Sequence, residues 1–198
     1  MLKIGITGGI GSGKTYVAQL LARKGIPVYS TDAEARRLMI ASQDIRRRLT
    51  ELAGEVYLAD GTLDKRKLAA YLFASPLHAE KVNAIVHPVV RQDFLRWVAR
   101  QSAPVVAMEC AILFESGFDS LVDEVLLVSA PAEVCISRAM KRDGMTAAQV
   151  KARMAAQMKD EERFSRVRYI IRNDGEADVE LALNQVLFRM LERRTMQD

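Results

Sequence analysis

The residues best suited to chemistry lie near the start of the chain, where a glycine-rich segment ends in a lysine and a threonine. Residues 8–15 read GGIGSGKT, which matches every fixed position of the phosphate-loop pattern G-x-x-x-x-G-K-[ST]. In such a loop, backbone N–H groups surround a phosphate group and Lys14 supplies a positive charge to the β- and γ-phosphates. Thr15 offers a hydroxyl to a magnesium ion that bridges those phosphates. The segment therefore predicts binding of a nucleoside triphosphate.

The surroundings of this loop distinguish a phosphate site from a chance pattern. An apolar stretch at residues 2–6 predicts a strand before the loop, and residues 14–24 predict a helix after it. This order directs the positive N-terminal end of the helix at the bound anion. A flexible loop with a lysine beside it by chance would leave its glycines unexplained. We expect nucleotide contacts from a continuous run of residues, namely Gly11, Ser12, Gly13, Lys14, Thr15 and Tyr16.

A carboxylate follows the next predicted strand. Residues 26–30 read as a short strand, and Asp32 comes just after its end. In a parallel α/β sheet the ligand crevice lies at the carboxyl ends of the strands, so we expect Asp32 at the same edge as the phosphate loop. Aspartate is also a preferred N-cap residue. Capping the following helix is therefore the structural alternative for Asp32, and the two roles are compatible.

Two arginines on a later predicted helix form a third candidate group. Arg138 and Arg142 are one helical turn apart, so their side chains share a face and can reach the transferring phosphoryl group or the adenine ring together. An arginine that stabilises the transition state contributes ~10³-fold or more to the rate. The alternative is an ordinary solvated basic face. By contrast, Arg46, Arg47 and Arg48 point in different directions around a helix, which favours a solvated surface over a site.

The bulk composition limits the classes of function. The chain has 198 residues, of which 49% are hydrophobic and 27% charged, as in a soluble α/β domain with insertions. No stretch has the apolar length of a membrane span, which predicts a cytoplasmic protein without a membrane partner. The net charge of +4 is modest and aromatic residues make up only 6%, so we expect no nucleic-acid partner. Cys110 and Cys135 are predicted to be reduced core thiols.

The remaining pattern predicts the elements that must position these residues. Residues 33–100 are mainly helical, and Pro88 is expected to kink or divide the longest of these helices. Thr146 and Gln149 form a capping box that starts a helix poor in large aliphatic side chains, which we expect to belong to a mobile lid. Further strands are predicted at residues 104–108, 124–129 and 169–172, and further helices at residues 131–142 and 177–194.

The absence of other motifs narrows the kind of phosphate-loop protein. Neither an N-K-x-D motif nor a D-x-x-G motif after a strand is present, which argues against a GTPase. A small chain with a helical insertion and an arginine-bearing lid is typical of a small-molecule kinase. Two alternatives stay open at this point. One is a kinase of the nucleoside-monophosphate or gluconate type, and the other is a nucleotide-sensing or nucleic-acid-associated protein without turnover.

Several segments together resemble the dephospho-coenzyme A kinase family, and the resemblance covers nearly the whole chain. The loop sequence TGGIGSGK combined with the segment HPVVR is the most specific part. The matching segments are TGGIGSGKT at 7–15, YSTDA at 29–33, DGTLDKRKL at 60–68, VHPVVR at 86–91, ILFE at 112–115 and IRNDG at 171–175, with Arg142, Asp143, Arg153 and Gln157.

The resemblance implies a reaction, a fold and a division of the chain. The reaction is ATP-dependent phosphorylation of the 3′-hydroxyl of the dephospho-CoA ribose, the last step of coenzyme A synthesis. The fold is the α/β phosphate-loop nucleoside triphosphate hydrolase fold, with a parallel sheet flanked by helices. Residues 1–198 form a single kinase domain in this interpretation. Its parts are a core at 1–32, 103–140 and 167–198, a helical acceptor-binding insertion at 33–102 and a lid at 141–166.

The resemblance also implies roles for individual residues. Asp32 is expected to accept or orient the proton of the ribose hydroxyl, with Lys14 and Arg142 as the other catalytic residues and Thr15 as the metal ligand. The expected nucleotide contacts extend to Arg138, Arg142 and Asn173, and the expected acceptor contacts are Asp32, His87 and Arg91. The implied small molecules are ATP with Mg²⁺ and dephospho-CoA, bound by a monomer or small homo-oligomer.

Four positions need separate comment within this resemblance. A buried histidine that holds the helix at Pro88 is the structural alternative for His87. Glu109 and Ala111 stand where the family usually has aspartate and proline, and the longer carboxylate of Glu109 is expected to reach the metal through water. Tyr16 replaces the threonine or serine that often follows the loop, a change expected to be harmless on the helix.

Overall fold

The described strands form one five-stranded sheet. The computed structural model describes residues 1–196, except for the side chain of Pro76. The strands are β1 (Leu2–Thr7), β2 (Val28–Ser30), β3 (Val105–Glu109), β4 (Glu124–Ser129) and β5 (Tyr169–Arg172). They are ordered β2-β3-β1-β4-β5, and the pairs β1–β3, β1–β4 and β4–β5 are parallel. The predicted parallel α/β sheet is confirmed.

The helices lie between and after these strands. A short 3₁₀ segment, Phe118–Leu121, precedes β4. The α-helices are α1 (Lys14–Arg23), α2 (Thr31–Ala41), α3 (Gln43–Ala53), α4 (Lys65–Ala74), α5 (Pro76–Ala99), α6 (Ala132–Asp143), α7 (Ala147–Ala155), α8 (Asp160–Arg166) and α9 (Val179–Thr195).

The main hydrophobic core lies between the sheet and the helices α1 and α9. Alternate residues of β1 point into it, and Ile4 and Ile6 have no exposed surface. They pack with Leu20 and Leu21 of α1 and with Leu183 of α9, which are also fully or almost fully buried. Burying a side chain of this size stabilises a fold by about 1.5–3 kcal/mol. The core therefore holds β1 and α1 firmly on either side of the loop at residues 8–13.

The chain divides into two compact units. The first unit combines Met1–Tyr29 with the residues from Ser102 onward, and the second is Ser30–Gln101. The first contains the loop, most of the sheet and residues 141–166. Within the second, α5 contacts α2, α3 and α4.

Two predictions about local structure differ in outcome. The capping box is present, because the Thr146 hydroxyl accepts a hydrogen bond from the backbone of Gln149, whose side chain binds back to Thr146. Of the two effects predicted for Pro88, a kink or a division of the helix, the division is wrong, because α5 runs unbroken from Pro76 to Ala99. Buried apolar residues on both sides of the proline, such as Val82 and Phe94, offset the hydrogen bond that proline cannot make.

Two absences concern the described part of the chain. Across residues 1–196, none of the helices combines the length and the apolar character required to cross a membrane. Both cysteines are buried and neither forms a disulfide within the described residues, which agrees with the prediction of reduced core thiols. Burial raises the pKa of the Cys135 thiol, and the negative charge of Asp160 raises it further.

Candidate functional site

The loop between β1 and α1 has a backbone that only glycine accommodates at its tightest points. Gly11 has φ of 76° and Gly13 has φ of 96°, both in the left-handed region. A Cβ atom at Gly11 would lie 2.2 Å from the carbonyl oxygen of Cys135, and one at Gly13 would lie 2.0 Å from Nδ2 of Asn173. The loop is therefore packed against α6 and against the end of β5. Helix α1 begins directly after it, with its first N–H groups turned toward the loop.

Replacing Gly11 with alanine is expected to weaken ATP binding more than 10-fold and to lower the free energy of unfolding by about 1–3 kcal/mol, because the new Cβ atom meets the Cys135 carbonyl in a strained backbone. Gly25→Ala is the matched control, since Gly25 has φ of 78° with no atom within 4 Å of the added Cβ. Denaturant unfolding and ATP titration of both variants measure the difference. Equal losses of ATP affinity in Gly11→Ala and Gly25→Ala would show that the close contact at Gly11 is unimportant for ATP binding.

The side chains of Lys14 and Thr15, at the end of the motif, each donate a hydrogen bond to an oxygen atom. Lys14 Nζ donates a hydrogen bond to the carbonyl oxygen of Gly9 at 3.0 Å. The Thr15 hydroxyl donates to Oε1 of Glu109 at 2.6 Å. Glu109 ends β3, which pairs directly with β1, so the parallel register brings its carboxylate to the loop. The longer side chain of glutamate thus reaches the residue that was predicted as the metal ligand.

Asn173 connects the loop to two other elements. Its side-chain Nδ2 donates to the carbonyl oxygen of Ser12 at 2.9 Å, and its backbone N–H donates to Ser129 at the end of β4. Arg138 Nη1 donates to the Asn173 carbonyl at 2.7 Å, and Nη2 donates to its Oδ1 at 3.3 Å. Asn173 is buried. Its side chain therefore holds the loop backbone and orients Arg138.

A cavity of about 440 Å³ opens beside this loop. Every residue that the sequence predicted for nucleotide binding lines it, except Ser12 and Asn173. The lining residues are Gly11, Gly13, Lys14, Thr15, Tyr16, Arg138, Lys141 and Arg142. Lys141 was not predicted, although its position between the two arginines on α6 was available as a signal. The cavity combines loop amides with cationic side chains, which suits a polyanion attached to a ring.

The arginines of α6 differ in how they are held. Arg138 is fixed by Asn173, whereas Arg142 lies in a largely exposed pair with its neighbour Asp143. Arg142 Nε and Nη2 each donate to an oxygen of the Asp143 carboxylate at 2.8 Å. This hydrogen bonding lowers the pKa of Asp143. Both arginines line the same cavity, as their spacing predicts.

A second cavity, of about 360 Å³, lies between the loop, the end of β4 and residues 154–163. Gln157 Oε1 accepts a hydrogen bond from the backbone N–H of Ile10 at 3.0 Å. Arg163 is buried and pairs with Asp160 at 3.1 Å and with Glu115 at 3.6 Å. Arg163 was not predicted from the sequence, because an arginine in a charged stretch gives no sign of burial. Gln157 was named from the sequence only as a position that matches the family.

The predicted acceptor residues lie in the second unit. Asp32 is exposed in the first turn of α2. The alternative that Asp32 is the N-cap is wrong, because α2 begins at Thr31 and its N-cap is Ser30. His87 and Arg91 are one turn apart on α5, so they share a face. Burial lowers the pKa of His87, so its neutral form is favoured.

Comparisons with known proteins give consistent results. The family model described as dephospho-CoA kinase matches residues 2–178. The chain is 45% identical over 176 residues to a dephospho-CoA kinase of Bacteroides fragilis, with 88% of this chain and 86% of the relative covered. It is 40% identical over 185 residues to one of Thermus thermophilus, with 93% and 89% covered.

Solved structures show the same similarity. A crystal structure of a Thermus thermophilus protein superposes with a TM-score of 0.82 at 38% identity and covers 97% of each chain. A shikimate kinase from Acinetobacter baumannii superposes with a TM-score of 0.58 at 19% identity, covering 98% of this chain and 94% of the other. At that identity the second match supports the fold alone. Both matches support a phosphate-loop fold with a parallel sheet.

Proposed function

The chain belongs to the dephospho-CoA kinase family, and from this we propose that it transfers the γ-phosphoryl group of ATP to the 3′-hydroxyl of the dephospho-CoA ribose. The products are coenzyme A and ADP. The family match over residues 2–178 carries this proposal. The cavity beside the loop agrees with it, because loop amides and Lys14 meet the requirements of a triphosphate.

The phosphate loop and Lys14 perform the electrostatic part of the reaction. Phosphoryl transfer passes through a loose transition state whose charge is spread over the transferred oxygens, so positioning and charge stabilisation dominate catalysis. The loop is fixed by glycine packing and by Asn173, so its N–H groups need little reorganisation. Lys14 adds a charge next to Gly9, at the start of the loop.

Thr15 and Glu109 are proposed to hold a magnesium ion together with the nucleotide phosphates. Their oxygen atoms suit a hard cation, and the short hydrogen bond between them orients the threonine hydroxyl. Within the described residues, no group of three or more histidine, cysteine or acidic side chains could hold a metal by itself. A magnesium ion that keeps several waters and binds substrate phosphates fits so small a donor set. When bound, it neutralises charge on the phosphates.

Replacing Glu109 with glutamine is expected to raise the Mg²⁺ concentration for half-maximal rate about 10-fold, since residues that orient a metal ligand affect metal affinity by about 10–100-fold. The isosteric amide lacks the charge that acts on Thr15 and the ion. Glu124→Gln is the control, because Glu124 lies on β4, which does not pair with β3, and its carboxylate lies 3.8 Å from Arg193. Magnesium titrations of the rate compare the variants. An unchanged magnesium requirement in Glu109→Gln would refute the proposed role.

The nucleoside end of ATP is proposed to lie in the cavity next to Tyr16, Arg138 and Arg142. Arg138 is held in place by Asn173, while Arg142 is exposed and pairs with Asp143. We assign Arg142 to the nucleotide and retain it as a catalytic residue of the proposal. Asn173 is also proposed to contact the nucleotide, and its side chain holds Ser12 and Arg138.

The acceptor is proposed to bind to residues of the helical insertion. Asp32 accepts or orients the proton of the ribose hydroxyl, and His87 with Arg91 binds dephospho-CoA. Two features support this assignment. Asp32 follows β2 directly in the chain, and its carboxylate is exposed. His87 and Arg91 present a neutral ring and a cation on one helix face, which suits an anionic substrate.

We also propose how the parts of the chain divide the work. Residues 1–32, 103–140 and 167–198 act as the core, residues 33–102 as the acceptor-binding insertion and residues 141–166 as a lid that excludes water during transfer. The protein works in the cytoplasm as a monomer or small homo-oligomer and does not require nucleic acid.

A mass-spectrometric assay tests the function. The purified protein with Mg·ATP is expected to add one phosphate to dephospho-CoA and to leave gluconate and AMP unchanged. Locating the new phosphate on the product shows whether the 3′-hydroxyl or another hydroxyl was phosphorylated. Phosphorylation of gluconate or AMP without reaction of dephospho-CoA would overturn the proposal. ATP binding without acceptor-dependent ADP release would instead indicate a nucleotide sensor.

A further inference from the structure

Arg163 of α8 is the one arginine, lysine or acidic residue among the described residues whose side chain is buried. It is 2% exposed. Its Nη1 lies at 3.1 Å from Asp160 Oδ1, and its Nη2 lies at 3.6 Å from Glu115 Oε1, which is too long for a hydrogen bond. Within the described part of the chain, neither Nε nor Nη2 has a hydrogen-bond partner. A buried guanidinium with donors left over destabilises a fold unless another group uses those donors.

The position of Arg163 indicates what that group is. A Cβ atom placed on Gly9 would lie 3.5 Å from Arg163 Nη1, so the guanidinium lies directly against the phosphate loop. Lys14 Nζ binds the carbonyl oxygen of the same glycine. Because the lysine of this motif binds the β- and γ-phosphates, Gly9 is flanked by two cations at the phosphate end of the nucleotide. The α6 arginines line the other cavity.

We propose that Arg163 is a further catalytic residue, whose unused donors bind oxygens of the γ-phosphoryl group of ATP during transfer. The proposal rests on the kinase function proposed above. In the step, the acceptor oxygen bonds to the γ-phosphorus while the bond from that phosphorus to the β–γ bridging oxygen breaks, and ADP leaves. The acceptor proton goes to Asp32. Arg163 transfers no proton and stabilises charge on the three equatorial oxygens.

Gln157 gives independent support for a γ-phosphate site at this place. Its amide oxygen accepts the Ile10 N–H at 3.0 Å and lies 3.8 Å from the Cβ position of Gly9. An N–H group of the loop is therefore directed at the cavity that contains Arg163. A phosphate oxygen is a stronger acceptor than an amide oxygen, so the nucleotide can take over this donor. Arg163 and the Ile10 amide then converge on one anion.

Glu115 and Asp160 complete the arrangement by holding the guanidinium without using all of its donors. Glu115 Oε1 also accepts the backbone N–H of Met158 at 3.1 Å, which fixes the segment before α8. The two carboxylates reduce the cost of the buried charge, and neither of them accepts a hydrogen bond from Nε or Nη2, which are both buried. This combination is expected of a group that is positioned in advance for an anion.

The experiment compares ATP with ADP, because only ATP carries the γ-phosphate. Calorimetric titrations with Mg·ATP and Mg·ADP are made without acceptor on the wild type, Arg163→Gln and Arg166→Gln. Arg163→Gln is expected to weaken ATP binding about 10-fold, to leave ADP binding unchanged and to lower kcat about 10²-fold. Arg166→Gln is the matched control, since Arg166 on the same helix is exposed and pairs with Glu162. It is expected to behave as the wild type.

The outcomes separate binding from a structural contribution. Equal weakening of ATP and ADP, or no change in either, would overturn the proposal. Thermal unfolding checks that Arg163→Gln folds. If it does not fold, Arg163→Lys, which retains the charge, takes its place. Arg163→Lys is expected to weaken ATP binding by a smaller factor and to leave ADP binding unchanged, and equal effects on ATP and ADP binding would again refute the role. A wild type that leaves dephospho-CoA unmodified would refute the proposed function, while the ATP and ADP titrations would still report on Arg163.

Discussion

Lys14→Ala is expected to lower kcat about 10³-fold or more and to weaken ATP binding, because the variant removes the only motif charge between the β- and γ-phosphates. The ammonium group lies at 3.0 Å from the Gly9 carbonyl, so it is already located at the loop before any phosphate arrives. The loop itself is fixed by contacts of Gly11, Gly13 and Asn173, which do not involve Lys14. The loss should therefore fall on binding and catalysis, with the fold retained.

Lys24→Ala provides the control for this experiment. Lys24 follows the same helix at its other end and pairs with Glu180 at 2.8 Å. Removing an exposed pair of this kind changes the free energy of unfolding by about 0–1 kcal/mol. The kinetics of Lys24→Ala should therefore match those of the wild type. Steady-state rates and ATP titrations measure both variants. A Lys14→Ala enzyme with a rate within a few-fold of the wild type would mean that the loop does not bind the transferred phosphate.

Local signals in the sequence were sufficient for the strands, for most of the helices and for the nucleotide loop. The motif at residues 8–15 combines a backbone requirement with two side chains in consecutive positions, so chain order alone places them together. The capping box at Thr146 and Gln149 is local in the same way. Arg138 and Arg142 needed only the helical period to be assigned to one face. Each of these predictions depends on residues that are neighbours along the chain or within one helical turn.

The rest of the site depends on contacts between distant positions, and the sequence contains little sign of them. Glu109 reaches Thr15 because β3 is the neighbour of β1, a matter of strand order. Arg163 is buried beside Gly9 although its own helix is rich in charge. Asn173, whose predicted nucleotide contact stays a prediction, also holds the loop and Arg138 through its side chain, which the sequence did not indicate. Non-local pairing of this kind is decided by tertiary packing and not by pattern.

Asp32→Asn is expected to lower kcat about 10³-fold while ATP binding stays near the wild-type value, because proton transfer by a positioned side chain contributes about 10²–10⁴-fold. Asparagine has the same shape but neither the charge nor the basicity to take the hydroxyl proton. Asp32 is exposed and is not the N-cap of α2. Losing its charge in the first helical turn changes the free energy of unfolding by only about 0.3–1 kcal/mol, so the variant should fold.

Glu34→Gln tests whether a loss of rate is specific to Asp32. Glu34 lies in the same first turn of α2 and pairs with Arg37, so it shares the helix environment but not the proposed role. Its kcat should stay near the wild-type value. Rates at saturating ATP and dephospho-CoA, with ATP titrations and thermal unfolding, compare the variants. If Asp32→Asn retained near-normal kcat, the proton-accepting or orienting role would belong to another group. If it lost ATP affinity in proportion to rate, Asp32 would act on the nucleotide and not on the acceptor.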